Sequence, residues 1–563
     1  MLRFLTIFPE LLQSLSFPQI DHRLKQVDPH IERSFEWIFA SEESTGFVEW
    51  ARSTAGLFWI RGKPGSGKST LMKYIFNDKR TIDLLQASAP DAEVRFAPFF
   101  FHHRGGTLQH SYIGLLRTVL SYILTDDDRL YDCMVPILRE FEKWQSFVRA
   151  KKPVEPDFWT YNRLKRALDI ILDQQVFRLN LCLLFDALDE FDGQPETIGQ
   201  YIKSMVLERP GSLTRVKICI SSREWDGFTK LFRHLPGFAL QDHTRSDMQE
   251  FCQQTIFAAE GIDREALTSL REELVQRAAG VFLWLRLVLG DLIKAAQRTG
   301  DASTLRVTLE SLPVELEKYY MVILDRIPSA HKWEAFALLE VGARGIGQQY
   351  FDWEIGLESS IDIAFLCRGA VECSAYSTYT EAKRKLQWMT EKWPTRSIPL
   401  DEFELYVQQV SAGLVEVIKV RGGSGAACAV LQLMHQTVLD VVLGPKFRRS
   451  ILPSYDLRMA ENGYSCAAKF VMAYELSPTR ASRKSLWYMR SRERRPGPIF
   501  LAYLLRQSET VSGLSQQTFV DSVEHIHGRD WSDNLCPPVD EALYCTAPVG
   551  RCFFMSPLLI YKP

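Results

Sequence analysis

The sequence lacks the features that mark secreted, membrane-spanning and zinc-ribbon proteins. Its 563 residues include 11 cysteines, and no two of them form a C-x-x-C pair, so neither a disulfide framework nor a zinc framework is indicated. No uncharged apolar run reaches the roughly 18 residues of a membrane-spanning helix, and the apolar start of the chain is interrupted by Pro9 and Glu10. We therefore expect a cytoplasmic protein with no signal peptide and no membrane partner.

A strong charge of one sign and an internal repeat are also lacking. The formal net charge is −2 at pH 7, which gives no bulk attraction to nucleic acid. The basic run "RSRERRPGP", which starts at Arg490, is more typical of a solvated helix end than of a nucleic-acid site. We therefore expect no nucleic-acid partner. No motif recurs at a period of about 20 to 50 residues, so the sequence does not predict a repeat array.

One short stretch, "LFWIRGKPGSGKST", joins an apolar run to a glycine-rich loop. Residues 57–60 predict a buried strand, and residues 71–76 predict the start of a helix. The loop between them fits the pattern G-x-x-x-x-G-K-[ST] of a phosphate-binding loop. A strand, turn and helix without any ligand is the alternative, and the complete pattern between a strand and a helix makes it the weaker one.

The residue types in this loop suit a nucleotide phosphate. Gly62, Gly65 and Gly67 remove side chains where the backbone must curl around an anion. The positive end of the following helix adds to the field of the backbone N–H groups. Lys68 is expected to reach the outer phosphates, and the Ser69 hydroxyl is expected to bind Mg²⁺. The pattern alone does not separate ATP from GTP.

Further strand-like runs alternate with helical stretches after this loop. The strands are predicted at "RFAPFFFHH", "LNLCLLFDALDE" and "VKICISSRE". Such alternation predicts an α/β fold, with a parallel sheet and helices on both faces. From about residue 247 the pattern is helical, until "AGLVEVIKV" and "CAVLQLMH" predict a β-hairpin. Helical stretches follow the hairpin.

Charged residues end two of the predicted strands. Asp186 is expected to hold Mg²⁺ at the carboxyl edge of the sheet, where open parallel sheets bind ligands. Asp189 and Glu190 follow at a spacing that suits the orientation or deprotonation of an attacking water. Arg223 ends the next strand and would stabilise charge on the departing phosphate. The alternatives are a solvated acidic turn and an arginine paired with Glu224.

The order of several stretches gives the chain a family resemblance. It resembles the NACHT NTPases of fungal NOD-like receptors over residues from about 17 to about 443. The stretches that carry the resemblance are "FWIRGKPGSGKSTLMKYIF", "FFFHHRG", "SYIGLLRTVLSYIL", "LLFDALDEFDG", "ISSREW", "GVFLWLRLVL", "LPVELEKYYMVILDRIP" and "MHQTVLDVVL".

The resemblance implies a nucleotide switch of the STAND class. Such a protein binds ATP or GTP with Mg²⁺, hydrolyses it slowly, rests with ADP bound, and opens and self-associates when active. Fungal non-self recognition or heterokaryon incompatibility is the implied role. A non-catalytic nucleotide-binding scaffold and a constitutive P-loop ATPase or kinase are the alternatives, although the chain has no lid or acceptor motif of a small-molecule kinase.

The resemblance also assigns roles to individual residues. The nucleotide-binding residues that it implies include Thr70 and His435 beside those of the loop. His435 would approach the β-phosphate of ADP from a winged helix. The stretch "MHQTVLDVVL" departs from the family, because Thr-Val-Leu replaces the usual basic residue after His-x. The complete implied set is Gly62, Gly65, Gly67, Lys68, Ser69, Thr70 and His435 for nucleotide, Ser69 and Asp186 for Mg²⁺, and Asp189, Glu190 and Arg223 for catalysis.

The resemblance and the element pattern together give an expected domain order. The expected fold is a P-loop NTPase domain followed by a helical domain, a winged helix and further helices. The expected segments are a helical lead-in (1–50), a NACHT nucleotide-binding domain (51–245), a helical domain (246–325), a winged-helix-like domain (326–445) and a truncated C-terminal helical region (446–563).

Overall fold

The computed structural model describes most of the chain as two compact units, residues 1–319 and residues 320–563. The described residues are 2–17, 20–40, 45–53, 56–125, 129–150, 157–207, 209–299, 302–347, 362–421, 427–452, 461–475 and 496–513. Most of the basic run that starts at Arg490, the turn of the predicted hairpin and the last fifty residues lie outside these ranges.

A five-stranded parallel sheet forms the centre of the first unit. Its strands lie in the order β2-β3-β4-β1-β5, and every neighbouring pair is parallel. The four strands predicted from the sequence are confirmed, whereas the three-residue β5 is too short to give a sequence signal. The bounds are β1 (Gly56–Arg61), β2 (Glu93–Phe100), β3 (Leu179–Asp186), β4 (Thr214–Ser222) and β5 (Gly237–Ala239).

Helices cover both faces of this sheet, as the sequence predicted. Alternate residues of β1 point to opposite sides, so Trp59 packs into one apolar core and Phe58 into the other. The first core contains residues of α1, α6, α7, α8, α9 and α10, and the second contains residues of α3, α4 and α5. The helices up to the end of the sheet are α1 (Leu2–Leu15), α2 (His22–Gln26), α3 (Phe47–Arg52), α4 (Lys68–Asn77), α5 (Lys79–Ser88), α6 (Tyr112–Leu124), α7 (Leu130–Arg149), α8 (Tyr161–Leu172), α9 (Pro195–Met205) and α10 (Asp226–Phe232).

A helical region follows the sheet within the first unit. The sequence has a helical pattern on both sides of "AAGVF", but the structure has two separate helices there. They are separated because Ala279 and Gly280 both adopt positive φ, of 48° and 83°. A Cβ at Gly280 would lie 2.3 Å from the Cβ of Gln241, so the chain turns where only glycine fits. The helices are α11 (Arg245–Ala258), α12 (Arg264–Ser269), α13 (Arg271–Ala278), α14 (Phe282–Thr299), α15 (Ala302–Ser311) and α16 (Leu316–Asp325).

The described residues of the second unit are helical apart from one antiparallel hairpin. The predicted hairpin is confirmed as β6 (Val415–Arg421) paired with β7 (Ala427–Leu433). A short helix follows the hairpin, and whether the two form a winged helix stays a prediction. The helices are α17 (Lys332–Ala343), α18 (Ile363–Ser374), α19 (Tyr379–Lys392), α20 (Leu400–Val410), α21 (Gln436–Val442), α22 (Phe447–Ile451), α23 (Gly463–Glu475) and α24 (Pro496–Ser512).

The structure describes the apolar start of the chain and the length of the apolar helices. Pro9 does not end the first helix, which runs from Leu2 to Leu15. Across the described ranges, none of the helices has the length and apolar character to cross a membrane.

The end of α1 is held by one buried arginine of α6. The Arg117 guanidinium donates hydrogen bonds to the carbonyl oxygens of Ser14, Leu15 and Ser16, at 2.6, 3.0 and 3.1 Å. It also pairs with Asp157 at 3.1 Å. The last carbonyl groups of a helix have no partner inside that helix, so Arg117 supplies the donors that fix α1 to the sheet domain.

We predict that Arg117→Met loosens α1 while the sheet stays folded. Methionine keeps the apolar stem but removes all donors, and hydrogen bonds to a charged group contribute about 1.5 to 3 kcal/mol. Amide hydrogen exchange across residues 2–17 should therefore become roughly 10- to 150-fold faster. Arg166→Met is the control, because Arg166 belongs to α8 and pairs at the surface with Glu140 of α7. Equal exchange rates in wild type and Arg117→Met would show that α1 is held by other contacts.

Candidate functional site

The glycine-rich loop leads directly from β1 into α4. Gly65 and Gly67 have φ of 72° and 97°, a conformation that other residues rarely adopt. The N–H of Leu71 makes the first intrahelical bond, to Gly67, at 3.0 Å. The N–H groups at the start of α4, including those of Ser69 and Thr70, therefore have no partner within the helix. A helix start of this kind suits an anion, so the phosphate contact predicted from the sequence stays a prediction at this position.

The helical region after the sheet packs against this loop, which the sequence did not indicate. The N–H of Leu283 in α14 donates to the carbonyl oxygen of Gly65 at 3.1 Å. The ammonium of Lys63 donates to the carbonyl oxygen of Ala279 at 2.9 Å. A Cβ at Gly65 would lie only 2.9 Å from the Cβ of Leu283. The shape of the loop is therefore fixed partly by residues more than two hundred positions further along the chain.

Lys68 lies over the loop, and its ammonium group donates hydrogen bonds to two carbonyl oxygens of the loop. Its Nζ donates to the carbonyl oxygens of Gly62 and Lys63, at 2.8 and 3.0 Å. An ammonium has three donors, so one remains for a phosphate oxygen. Burial lowers the pKa of Lys68 from its ordinary value, and the charges of Asp189 and Asp186 act in the opposite direction. A phosphate anion at this position would favour the charged ammonium.

Asp186 ends β3 and is completely buried. Its Oδ1 accepts a hydrogen bond from the Ser221 hydroxyl at 2.5 Å, while Oδ2 has no hydrogen-bond partner among the described residues. Burial raises the pKa of Asp186, and the hydroxyl groups of Ser221 and Ser69 lower it. Ser221 also accepts the N–H of Ala187 at 2.9 Å, so it orients the carboxylate. Sequence reasoning missed Ser221, although it stands two residues before the predicted Arg223.

The Asp186 and Ser69 side chains fit a magnesium–nucleotide complex. A buried carboxylate oxygen without a partner and a hydroxyl beside it are the oxygen ligands that Mg²⁺ prefers. The described part of the chain contains no group of three or more His, Cys, Asp or Glu residues arranged to hold a metal. Such an arrangement is not required, because Mg²⁺ in nucleotide sites takes one or two protein ligands and completes its shell with phosphate oxygens and water.

Asp189 and Arg223 form one closed ion pair. The Arg223 Nε and backbone N–H lie 3.0 Å from the two oxygens of Asp189. Burial raises the pKa of Asp189, and the charges of Lys68 and Arg223 oppose this rise. Arg223 thus pairs with Asp189, and the Oε1 of Glu224 lies 3.8 Å from the Nε of Arg61.

Glu190 occupies the next position on the same turn. The turn starts with Ala187, which adopts φ 54°, and a short 3-10 helix then carries Leu188 to Glu190. The Oε2 of Glu190 accepts a hydrogen bond from the backbone N–H of His103 at 2.9 Å. Glu190 therefore bridges the carboxyl ends of β3 and β2. Its other oxygen is a candidate acceptor for a proton from water.

His435 belongs to the second unit, where it caps α21. Its Nδ1 accepts the backbone N–H of Thr437 at 3.1 Å and lies 2.9 Å from the Thr437 hydroxyl. An acceptor at Nδ1 implies that the neutral ring carries its proton on Nε2. This is a defined structural role at a helix start, and the nucleotide contact that the family resemblance implies stays a prediction.

Comparison with known proteins gives a partial family match. Residues 33–223 match the family described as Nephrocystin 3, N-terminal. This range contains the phosphate loop, β1 to β4 and Arg223, but it is less than half of the chain. No curated protein matches the sequence.

Solved structures with similar folds are distant in sequence. The Cdc6p protein from Pyrobaculum aerophilum is 13% identical, with 78% of this chain and 98% of that chain covered and a TM-score of 0.29. The Aeropyrum pernix ORC2 protein, in ADPNP-ADP complexes, is 11% identical over 76% and 96% of the two chains, with a TM-score of 0.29. The Aeropyrum pernix ORC1 protein, in complex with DNA, is 11% identical over 71% and 87%, with a TM-score of 0.26. At these TM-scores the similarities give no information about the function of this chain. The loop, the sheet and the helices on both faces nevertheless give the first unit the fold of a P-loop NTPase.

We predict that Lys68→Ala abolishes nucleotide binding and leaves the fold intact. The variant loses a charge-assisted contact in a desolvated site, worth about 3 kcal/mol, so affinity for magnesium ATP should fall roughly a hundredfold or more. Calorimetric titration measures the affinity, and circular dichroism verifies the fold. Lys79→Ala is the control, because Lys79 is an exposed lysine that starts the neighbouring α5. Equal affinities for wild type and Lys68→Ala would contradict the phosphate-loop assignment.

Proposed function

We propose that this chain is a magnesium-dependent nucleotide switch that binds ATP, hydrolyses it slowly to ADP and signals through a conformational change. The proposal rests on one observation, the cluster of charged side chains at the edge where the strands of the sheet have their carboxyl ends. Two cations, Lys68 and Arg223, and three carboxylates, Asp186, Asp189 and Glu190, interact electrostatically there. A loop of N–H groups completes the site. This combination suits a polyphosphate with its magnesium ion.

The individual contacts support slow rather than rapid hydrolysis. Asp189 uses both oxygens in contacts with Arg223, so it is poorly disposed to accept a proton from water. Glu190 keeps one oxygen for that task, while the His103 N–H fixes the other. Bound Mg²⁺ would stabilise the charge that develops between the outer phosphates. The ion pair with Asp189 holds Arg223 through its Nε, which restricts how the guanidinium could approach a γ-phosphate.

A non-catalytic nucleotide-binding scaffold is the second candidate. The same Asp189–Arg223 pair favours it, because a closed ion pair stabilises the fold without any catalytic role. The two candidates differ in the fate of bound ATP. Mass spectrometry of nucleotide released from the purified protein tests them, since ADP after loading with ATP supports the switch and unchanged ATP supports the scaffold.

The wider biological role rests on the family resemblance. By that resemblance we propose self-association on activation and a role in fungal non-self recognition or heterokaryon incompatibility. ATP is the proposed nucleotide and GTP the alternative. Mass measurement by light scattering with ADP and with a non-hydrolysable ATP analogue tests the self-association. The same samples, mixed with duplex DNA, test the expectation that nucleic acid is not a partner.

We predict that Glu190→Gln retains ATP and hydrolyses it far more slowly. The amide keeps the shape of the side chain and its oxygen still accepts the His103 N–H, but it does not accept a proton from water. Single-turnover hydrolysis should slow by about 100- to 10,000-fold with little change in ATP affinity. Asp192→Asn is the control, since Asp192 lies on the same turn and its side chain is 68% exposed. Hydrolysis at the wild-type rate would assign the base elsewhere, with Asp189 as the next candidate.

We predict that His435→Ala weakens ADP by about 10- to 150-fold, the value of a hydrogen bond to a charged group. His435→Asn separates this role from helix capping, because asparagine is a good N-cap but has no imidazole. Both variants should show a smaller rise in melting temperature across an ADP titration than wild type. A capping role alone predicts a different pattern: a lower melting temperature for His435→Ala, recovery in His435→Asn, and an undiminished ADP-dependent shift in both.

A further inference from the structure

Gln241 lies between the phosphate loop and the helical region that follows the sheet. It belongs to a short 3-10 helix, Leu240–Asp242, which directly follows β5. On one side, its Oε1 accepts a hydrogen bond from the backbone N–H of Lys63 at 3.3 Å. On the other side, Gly280 packs so closely that a Cβ added there would lie 2.3 Å from the Gln241 Cβ. The residue is therefore held between the loop and the turn that joins α13 to α14.

The hydrogen bond to Gln241 involves the peptide unit that joins Gly62 to Lys63. A trans peptide unit is planar, so its N–H and its carbonyl group point in opposite directions. The N–H of this unit donates to Gln241, while its carbonyl oxygen, that of Gly62, accepts a hydrogen bond from the Lys68 ammonium at 2.8 Å. A rotation of the unit that broke one bond would also disturb the other. Gln241 therefore orients a carbonyl group that holds Lys68.

The adjoining N–H groups of the loop have backbone acceptors instead. The N–H of Gly62 donates to the carbonyl oxygen of Ser222 at 3.3 Å, and the N–H of Ser66 donates to that of Lys63 at 3.2 Å. The same Lys63 oxygen also accepts the Lys68 ammonium at 3.0 Å. Backbone acceptors persist in any variant, whereas the acceptor for the Lys63 N–H is a side chain. This contact can therefore be removed without changing the sequence of the loop itself.

We propose that Gln241 is a positioning residue for nucleotide binding, because it orients the Gly62–Lys63 peptide unit and thereby holds the Lys68 ammonium in place for a phosphate. This inference rests on the proposed nucleotide-binding function. Gln241 itself does not contact the nucleotide and acts through the loop. An ammonium that is held before the ligand arrives loses less freedom on binding, so such preorganisation increases affinity. The effect applies to ATP and ADP alike, since Lys68 is expected to serve the β-phosphate that both contain.

The test uses Gln241→Met, which keeps the length of the side chain and removes the acceptor. In the ligand-free full chain, amide hydrogen exchange across residues 61–67 should become about 3- to 10-fold faster, the value of one neutral hydrogen bond. Affinities for ATP and for ADP, both with Mg²⁺, should fall by a similar factor in calorimetry. Gln241→Glu keeps an oxygen acceptor and should restore the slow exchange and part of the affinity. Gln254→Met is the matched control, because Gln254 is an exposed glutamine of α11 that bonds to Glu250 of the same helix.

Each other outcome overturns the proposal. Unchanged exchange in Gln241→Met would show that the loop keeps its shape without this contact, and faster exchange with unchanged affinities would separate the contact from binding. Faster exchange throughout β5 and α11, with a lower melting temperature, would make Gln241 a packing residue of the fold. Fast loop exchange in Gln241→Glu would show that the acceptor is not what holds the loop. Failure of the nucleotide-binding function itself looks different, because wild type would then bind neither nucleotide.

Discussion

Burial of the parallel sheet on both faces is the constraint on which the candidate site depends. All eight residues of β3 are buried, and its neighbours β4 and β1 are largely buried as well. A charged group inside such a layer would lose its hydration without compensation. Lys217 within β4 is compensated by backbone carbonyl oxygens such as that of Trp50. The charged groups of the candidate site lie instead at the strand ends, and because the strands are parallel, their carboxyl ends meet at one edge. Asp186, Glu190 and Arg223 lie at that edge for this reason.

Burial affects the charged groups of the candidate site as much as their mutual attraction does. Desolvation raises the pKa of Asp186 and Asp189 and lowers that of Lys68, so the ionised forms of these three groups are less favourable than in water. The groups offset this by mutual attraction and by hydrogen bonds from Ser221 and the backbone. A bound polyphosphate with its cation would relieve the same cost, which gives the nucleotide a direct means of changing the stability of this edge.

Segments outside the sheet complete the edge and connect it to the rest of the first unit. The helix α14 contacts the phosphate loop through Leu283, and α2 is attached to α4 through Val27 and Lys73. A ligand that alters the phosphate loop or the start of α4 would act on both segments. Because a ligand shifts an equilibrium only through different affinities for two states, these contacts are where a nucleotide-dependent change would begin.

The sequence by itself determined the elements whose signals are local. The phosphate loop, four of the five sheet strands, the hairpin and the position of Asp186 at a strand end follow from glycine spacing and from runs of apolar residues, which depend only on neighbours in the chain. Tertiary structure decided which charged groups meet. The pairing of Arg223 with Asp189 and the hydrogen bond of Ser221 to Asp186 join residues far apart in sequence. Hydrogen bonds and ion pairs are short-ranged and directional, so no periodic pattern in the chain encodes them.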